Sequence, residues 1–376
     1  MKILPVYINR YYKKYQKEFD RSIKSFMGSS NYILGNKVKK FESEFANFNK
    51  IKYCLGVSDG TRALEIAIRS ISSNPYVFIP THTAVATAMA VSSYVDTSKI
   101  SLIDVSKNSF NMSLEDLKNK FRKAHGKYKN KYDFVCIFVP IYGSLEGIEE
   151  ISMFCKKNKI KLIIDSAQAH GAFYKNKDLK ISKYSDISTY SFYPTKNLPA
   201  FGDAGAICFN KKSTYDHASL LREYGWKPNK RNNSMLLGFN SRLDEIQAGL
   251  LSIGLKKLNT RNSLRREFAK PYLKYFKDQD RIQHYHNGCV FHQLVIETKN
   301  RTKFIKEAAK KGVALGIHYP MHVGQQKPFK HITKSLDNAN LISNRILSMP
   351  ISPEMTTKEA EFSFNTITKL YEKFNR

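Results

Sequence analysis

The chain has 376 residues, 42% of them hydrophobic and 25% charged, and a formal net charge of +30. That length suits two domains around separate cores, and the composition is that of a globular protein. No apolar run approaches the ~18 residues that span a bilayer, and Met1-Lys2-Ile3-Leu4-Pro5 opens no signal-peptide pattern, so a cytoplasmic protein without membrane insertion is expected.

Short apolar runs alternate with helical patterns from about residue 37 to about residue 250. Val38 to Phe48 carries Phe41, Phe45 and Phe48 at helical spacing, and Tyr53 to Val57 follows as a buried strand. Thr61 to Ile71 reads as a helix, Tyr76 to Ile79 as a strand, and His82 to Ser93 as a helix of small residues. Ile100 to Val105, Phe134 to Val139, Ile160 to Ile164, Ile187 to Phe192 and Ala204 to Phe209 read as strands, with a helix from Ile151 to Asn158. This alternation predicts an α/β fold with a mainly parallel sheet covered on both faces. Beyond it come a long polar helix, Leu251 to Phe276, a strand, Val290 to Glu297, and a helix, Thr302 to Lys311, closed by Gly312. We therefore expect a large domain over 1–250 and a small C-terminal α+β domain over 251–376.

The lysines are spread over many segments, such as Lys118 to Lys131 and Lys156 to Lys161, and read as solvated faces and loops. With no groove-reading motif they give no reason to expect nucleic acid, though they help to attract an anionic ligand. Cys54, Cys136, Cys155, Cys208 and Cys289 contain no C-x-x-C pair, so neither a metal site nor a disulfide framework is expected.

Three places carry chemistry. Asp165 ends the apolar run Ile160 to Ile164, at the strand end where open α/β sheets place ligands. Lys196 follows 31 residues later in Ser191-Phe192-Tyr193-Pro194-Thr195-Lys196-Asn197, where a desolvated lysine becomes a nucleophile. Asp59-Gly60-Thr61 joins a strand to a helix, where glycine lets the backbone approach an anion and the helix N-terminus offers free N–H groups.

These segments, in this order, resemble the DegT/DnrJ/StrS sugar aminotransferases, pyridoxal-phosphate (PLP) enzymes of fold type I. Matching stretches include Gly35 to Glu42, Asp59 to Leu64, Pro80 to Thr87, Asp165 to Ala172, Ser191 to Leu198, Gly202 to Ala206 and Gly238 to Ala248. Gly316 to Pro320 and Leu347 to Pro350 extend the match to the C-terminal part. The resemblance implies that Lys196 is the Schiff-base lysine and proton shuttle, and that Asp165 pairs with the pyridinium nitrogen of the cofactor. It further implies that Gln168 bonds the 3-hydroxyl, that Gly60, Thr61 and Ser191 hold the phosphate, and that Asn240 reaches the phosphate of a partner subunit. The active unit would then be a homodimer with shared sites. The aromatic that usually stacks on the ring falls near Ala84, so His82 in the same turn stands in for it. His318, Tyr319 and His322 fall near the sugar, although Met321-His322-Val323-Gly324-Gln325 departs from the family's usual arrangement.

The implied reaction is ping-pong transamination of a nucleotide-linked keto sugar, with L-glutamate as donor, in cell-surface glycan or lipopolysaccharide sugar synthesis. Asn31-Tyr32-Ile33-Leu34-Gly35 resembles members acting on carbon 3 of 6-deoxy sugars. Carbon 4 and a keto-cyclitol remain open. Lys196 itself argues against a sugar 3-dehydratase, whose lysine is replaced. The reading from another class is a non-catalytic basic binding protein on this fold.

Overall fold

Seven strands form the main sheet of the computed structural model, which describes residues 1–175, 180–228, 230–278 and 285–375. They are β1 (Tyr53–Val57), β2 (Pro75–Pro80), β3 (Ile100–Ile103), β4 (Asp133–Phe138), β5 (Lys161–Asp165), β6 (Ile187–Ser191) and β7 (Gly205–Phe209). Their spatial order is β1-β7-β6-β5-β4-β2-β3. β7 runs antiparallel to both its neighbours, β1 and β6, while the remaining pairings are parallel.

Side chains alternate across each strand, and here both faces are dry. Val135, Ile137 and Ile163 join the core that packs on the helix Gly60–Ile71. Cys136, Phe138 and Ile164 point the other way, to Leu117, Phe121 and Ile151 of the helices Leu114–Tyr128 and Ile148–Lys157. That is why the strands read as continuous apolar runs.

The lysines of Lys118 to Lys131 lie on a solvated face, as expected, but that face belongs to a helix the sequence did not disclose. Most of that stretch belongs to the helix Leu114–Tyr128, capped by Ser113, with Leu117, Phe121 and Ala124 buried. Its lysines occupy the outer face, and their number masks a narrow apolar stripe. Helices Ile8–Lys14, Gln16–Met27, Lys212–Arg222, Asp337–Arg345 and Thr357–Asn375 were likewise not expected. The helix expected from His82 begins only at Val85.

In the C-terminal part, β8 (Leu294–Glu297) pairs antiparallel with β9 (Ile346–Met349). The strand expected from Val290 is shorter because its first residues bond elsewhere. Val290 and His292 donate their N–H groups to the carbonyls of Gly143 and Tyr142, in a loop of the main sheet. The helix Glu245–Tyr275 has 31 residues, about 46 Å at 1.5 Å per residue. Leu251, Leu255 and Leu258 pack beneath the helix Asn36–Phe48, whereas Ala269 and Tyr272 belong to the C-terminal core. Ile3 and Tyr7 enter that same core, and Ile3 bridges to Val313. We propose that the division expected at residue 250 falls further along this helix, between Leu258 and Ala269, where its packing partner changes. Among the described residues, no helix is long and apolar enough to cross a membrane.

Candidate active site

The C-terminal ends of β5 and β6 and the start of the helix Gly60–Ile71 enclose a cavity of about 240 Å³. Six of the expected residues line it together: Gly60, Thr61, Asp165, Gln168, Ser191 and Lys196.

One end is a cradle for an anion. The Asp59 carboxylate caps the helix by accepting the N–H of Arg62 at 2.8 Å, and Gly60 and Thr61 line the cavity ahead of it. The positive end of the helix dipole therefore faces the cavity. Gly60 presses on Ser191 so closely that a Cβ would lie 2.5 Å from the Cβ of Ser191. Gly205 is equally constrained, since its Cβ would lie 2.4 Å from the carbonyl oxygen of Asp59. Glycine at both positions lets turn, helix and strand converge.

At the other end, Asp165 is 5% exposed. One carboxylate oxygen accepts the Thr87 hydroxyl at 2.9 Å and the other accepts the N–H of Ala167 at 3.2 Å. Burial raises its pKa, against the lowering effect of those two bonds and of Lys196. Gln168 is fixed at both ends of its amide: Oε1 accepts the N–H of Tyr142 at 2.7 Å and Nε2 donates to the Tyr319 hydroxyl at 3.0 Å.

Lys196 lines the cavity between these ends. Desolvation pushes it down to about 8, with Asp165 pulling the other way. Its backbone is anchored: Lys196 donates its N–H to Tyr193, and the Asn197 amide donates to Asn262 and to the Val290 carbonyl. Burial pushes nearby His170 down to about 3, with Lys196 adding to the effect, so that imidazole is neutral.

The other expected residues do not line this cavity. His82 lies behind its wall, with Nε2 at 2.7 Å from the Tyr142 hydroxyl. That hydroxyl donates its single proton to the His318 carbonyl, so Nε2 of His82 carries the hydrogen of their bond. Nδ1 of His318 bonds Ser348 at 2.8 Å. Tyr319 reaches the site through Gln168. His322 is clasped between Thr81 at 3.1 Å and Asn340 at 3.0 Å. Asn240 is exposed and forms an antiparallel bridge with Glu223.

Sequence reasoning missed two residues. Thr87 orients Asp165 from inside a helix. Tyr142 ties Gln168, His82 and His318 together from a left-handed backbone, φ 59°, which is costly for a bulky side chain. Its place just after β4, in Pro140-Ile141-Tyr142-Gly143, was the available signal.

A glycine-bearing helix start, a desolvated lysine and a buried carboxylate, gathered at the strand ends of such a sheet, are the features expected of a PLP enzyme of fold type I. The chain belongs to the DegT/DnrJ/EryC1/StrS aminotransferase family, whose model matches residues 13–367. It is 34% identical over 359 residues to the dTDP-3-amino-3,6-dideoxy-alpha-D-galactopyranose transaminase of Aneurinibacillus thermoaerophilus, covering 93% of this chain and 94% of that protein. It is 30% identical over 347 residues to the UDP-N-acetyl-3-dehydro-alpha-D-glucosamine 3-aminotransferase of Acidithiobacillus ferrooxidans, covering 90% of this chain and 89% of that one. Among solved structures, DesV of S. venezuelae superposes with a TM-score of 0.89 at 24% identity over 99% of both chains. The chain is therefore a PLP-dependent enzyme, and the reading as a non-catalytic binding protein falls.

The residues present fit the cofactor. Asp165 is a buried carboxylate whose hydrogen-bond donors are neutral, and a protonated ring nitrogen would supply the matching charge. The cradle at Gly60 would be filled by any Cβ.

Proposed function

We propose that this chain transfers an amino group to carbon 3 of a nucleotide-linked keto-6-deoxyhexose, with L-glutamate as donor, in making sugars for cell-surface glycans such as lipopolysaccharide. The observation that carries the reading is the single cavity in which Lys196, Asp165 and the Gly60–Thr61–Ser191 cradle meet. Carbon 3 is supported by the relative that matches at 34% identity, which is named for a 3-amino-3,6-dideoxy sugar.

When bound, pyridoxal phosphate supplies an electron sink for the substrate carbon that loses its proton. Gly60, Thr61 and Ser191 bind its phosphate. Asp165, oriented by Thr87, holds positive charge on the ring nitrogen. Gln168, locked by Tyr142 and Tyr319, bonds the 3-hydroxyl. The Nζ of Lys196, whose proton desolvation makes easier to lose, would carry the proton from the substrate carbon to its new position, as general base and then acid. His318, Tyr319 and His322 order the segment that closes over the sugar.

The site is completed in a homodimer in which Asn240 reaches the partner's phosphate cradle. Its exposure supports this, as do the 62% and 88% exposure of Met235 and Leu237 nearby in the chain, apolar surface that a second copy would cover.

A panel of 3-keto and 4-keto nucleotide sugars and keto-cyclitols, incubated with glutamate and analysed by mass spectrometry, tests the substrate. Amination confined to 3-keto sugars is expected. Turnover of 4-keto sugars alone moves the reaction to carbon 4, and turnover of cyclitols alone removes the nucleotide.

A further inference from the structure

Behind Lys196, on the side formed by the N-terminal helix and the long helix, lies a second and much smaller space. It is lined by Tyr11, Thr195, Lys196, Arg261, Arg265 and Glu354, among others, and measures about 10 Å³. That is close to the least volume that admits one water-sized sphere, which excludes an amino acid or a sugar.

Its charges do not balance. Arg261 and Arg265 are 5% and 4% exposed. Arg261 pairs with Glu354 at 3.0 Å, and both side chains are 6% exposed. The second oxygen of Glu354 is taken by the Ser352 hydroxyl at 2.8 Å. Arg265 donates only to neutral acceptors, the carbonyls of Phe291 and Ile351, at 3.1 and 2.9 Å. Arg10, at the edge, is already matched by Glu359. Two buried guanidinium groups thus face one carboxylate. Burial pushes Arg265 down to about 10, so it remains charged at neutral pH.

Its hydrogen bonds are one-sided as well. Nε and Nη1 of Arg261 are buried, and no acceptor among the described residues reaches them. Tyr11 stacks under Arg261 at 4.0 Å, and its buried hydroxyl interacts with that same guanidinium without a well-formed hydrogen bond. An unpartnered buried cationic donor is costly. A ligand that suits this place accepts hydrogen bonds, carries one negative charge and has the size of one heavy atom.

We propose that this slot binds a single monovalent inorganic anion, chloride or another halide, behind the lysine of the active site. The bound anion neutralises the second guanidinium and, in the cofactor-free protein, favours the ammonium form of Lys196, which lines the same slot.

The test uses the holoenzyme and two measurements. Crystals grown in bromide are examined for anomalous scattering within hydrogen-bond distance of Arg261. In solution, thermal midpoints are compared in chloride and in gluconate at matched ionic strength. The expected results are a bromide peak in the slot and a saturable stabilisation by chloride. Arg261→Gln alone leaves Glu354 buried and unpaired, so Arg261→Gln with Glu354→Gln is the variant used. It should weaken the apparent chloride affinity about tenfold, the loss of one charge-assisted contact. A slot holding only water, without anomalous signal, overturns the proposal. Equal midpoints in the two salts, or a chloride effect unchanged in the double variant, overturn it too. A bromide peak with no solution effect means binding at crystal concentration only, and also counts against it.

Discussion

Thr87 donates its hydroxyl to Oδ2 of Asp165 across 2.9 Å, from a residue 78 positions earlier in the chain. Thr83 in turn lies 3.0 Å from the Thr87 hydroxyl, so the turn before this helix orients the carboxylate. Thr87→Val keeps the shape and removes the bond. We expect kcat to fall about tenfold with cofactor still bound, and Thr87→Ser to restore most of it. Unchanged kcat in the valine variant would remove Thr87 from the machinery.

Gly60→Ala should separate cradle from helix. Alanine is the better helix former, so the helix itself is not weakened, but the added Cβ would lie 2.5 Å from the Cβ and 3.1 Å from the Cα of Ser191. Turn and strand must then move apart. Cofactor affinity, followed by absorbance titration, should drop about tenfold or more. Wild-type affinity would place the phosphate elsewhere.

The apoenzyme should carry the pH signature of Lys196. Its folded-state value of about 8 lies below the ~10.4 of an unfolded lysine. Between the two, the unfolded chain holds a proton that the folded chain has released, so this residue's contribution makes stability rise with pH. At pH 7 the full desolvation cost is present. Lys196→Met apoenzyme should therefore be more stable than wild type by roughly 2 kcal/mol, allowing for partial exposure. The gap should close as pH climbs toward ~10.4. Urea denaturation across that range measures it, and a gap independent of pH would contradict the assignment.

Acid should act through Glu359. Hydrogen bonds from Arg10 hold its carboxyl down to about 2. A depressed carboxylate stabilises the fold above its unfolded value, ~4.3, and loses that contribution as pH falls toward the folded one. Arg10 is 41% exposed, so screening reduces the effect, and Arg10→Ala should cost about 1 kcal/mol at pH 7. Comparing urea midpoints at pH 7 and near pH 2 should show that difference vanish in acid. A constant difference would mean that Arg10 acts by packing alone.

Mixing Lys196→Ala with Asn240→Ala protein, under conditions of demonstrated subunit exchange, should regenerate sites in which both residues are intact. Each parent should be defective. No recovery despite exchange would argue that Asn240 serves no neighbouring site.

How much of this was readable in advance follows from the range of the interactions. Asp165 stands out because an apolar strand ends on it, and Gly60 because a helix starts there. Both signals are local. Thr87 is different: a threonine in a run of small residues reveals nothing about a carboxylate on another strand. His322 shows the reverse problem, since its bonds to Thr81 and Asn340 could not be told in sequence from contact with a sugar. Lysine-rich helices such as Leu114–Tyr128 were obscured because three buried residues suffice to dock them. β8 lost its expected start to Gly143 and Tyr142, partners that no strand pattern discloses.

The segment from Ile3 to Tyr7 packs on partners far along the chain, with Val313 alongside Ile3 and Ile367 and Leu370 in the same core. During synthesis Ile3 to Tyr7 are made before this packing surface and wait for it until the helix Thr357–Asn375 has been made. The main sheet, whose last strand ends at Phe209, has all its strands long before then. A product stalled or truncated before that helix would thus present an assembled sheet beside an unpacked apolar segment, the kind of species that chaperones retain.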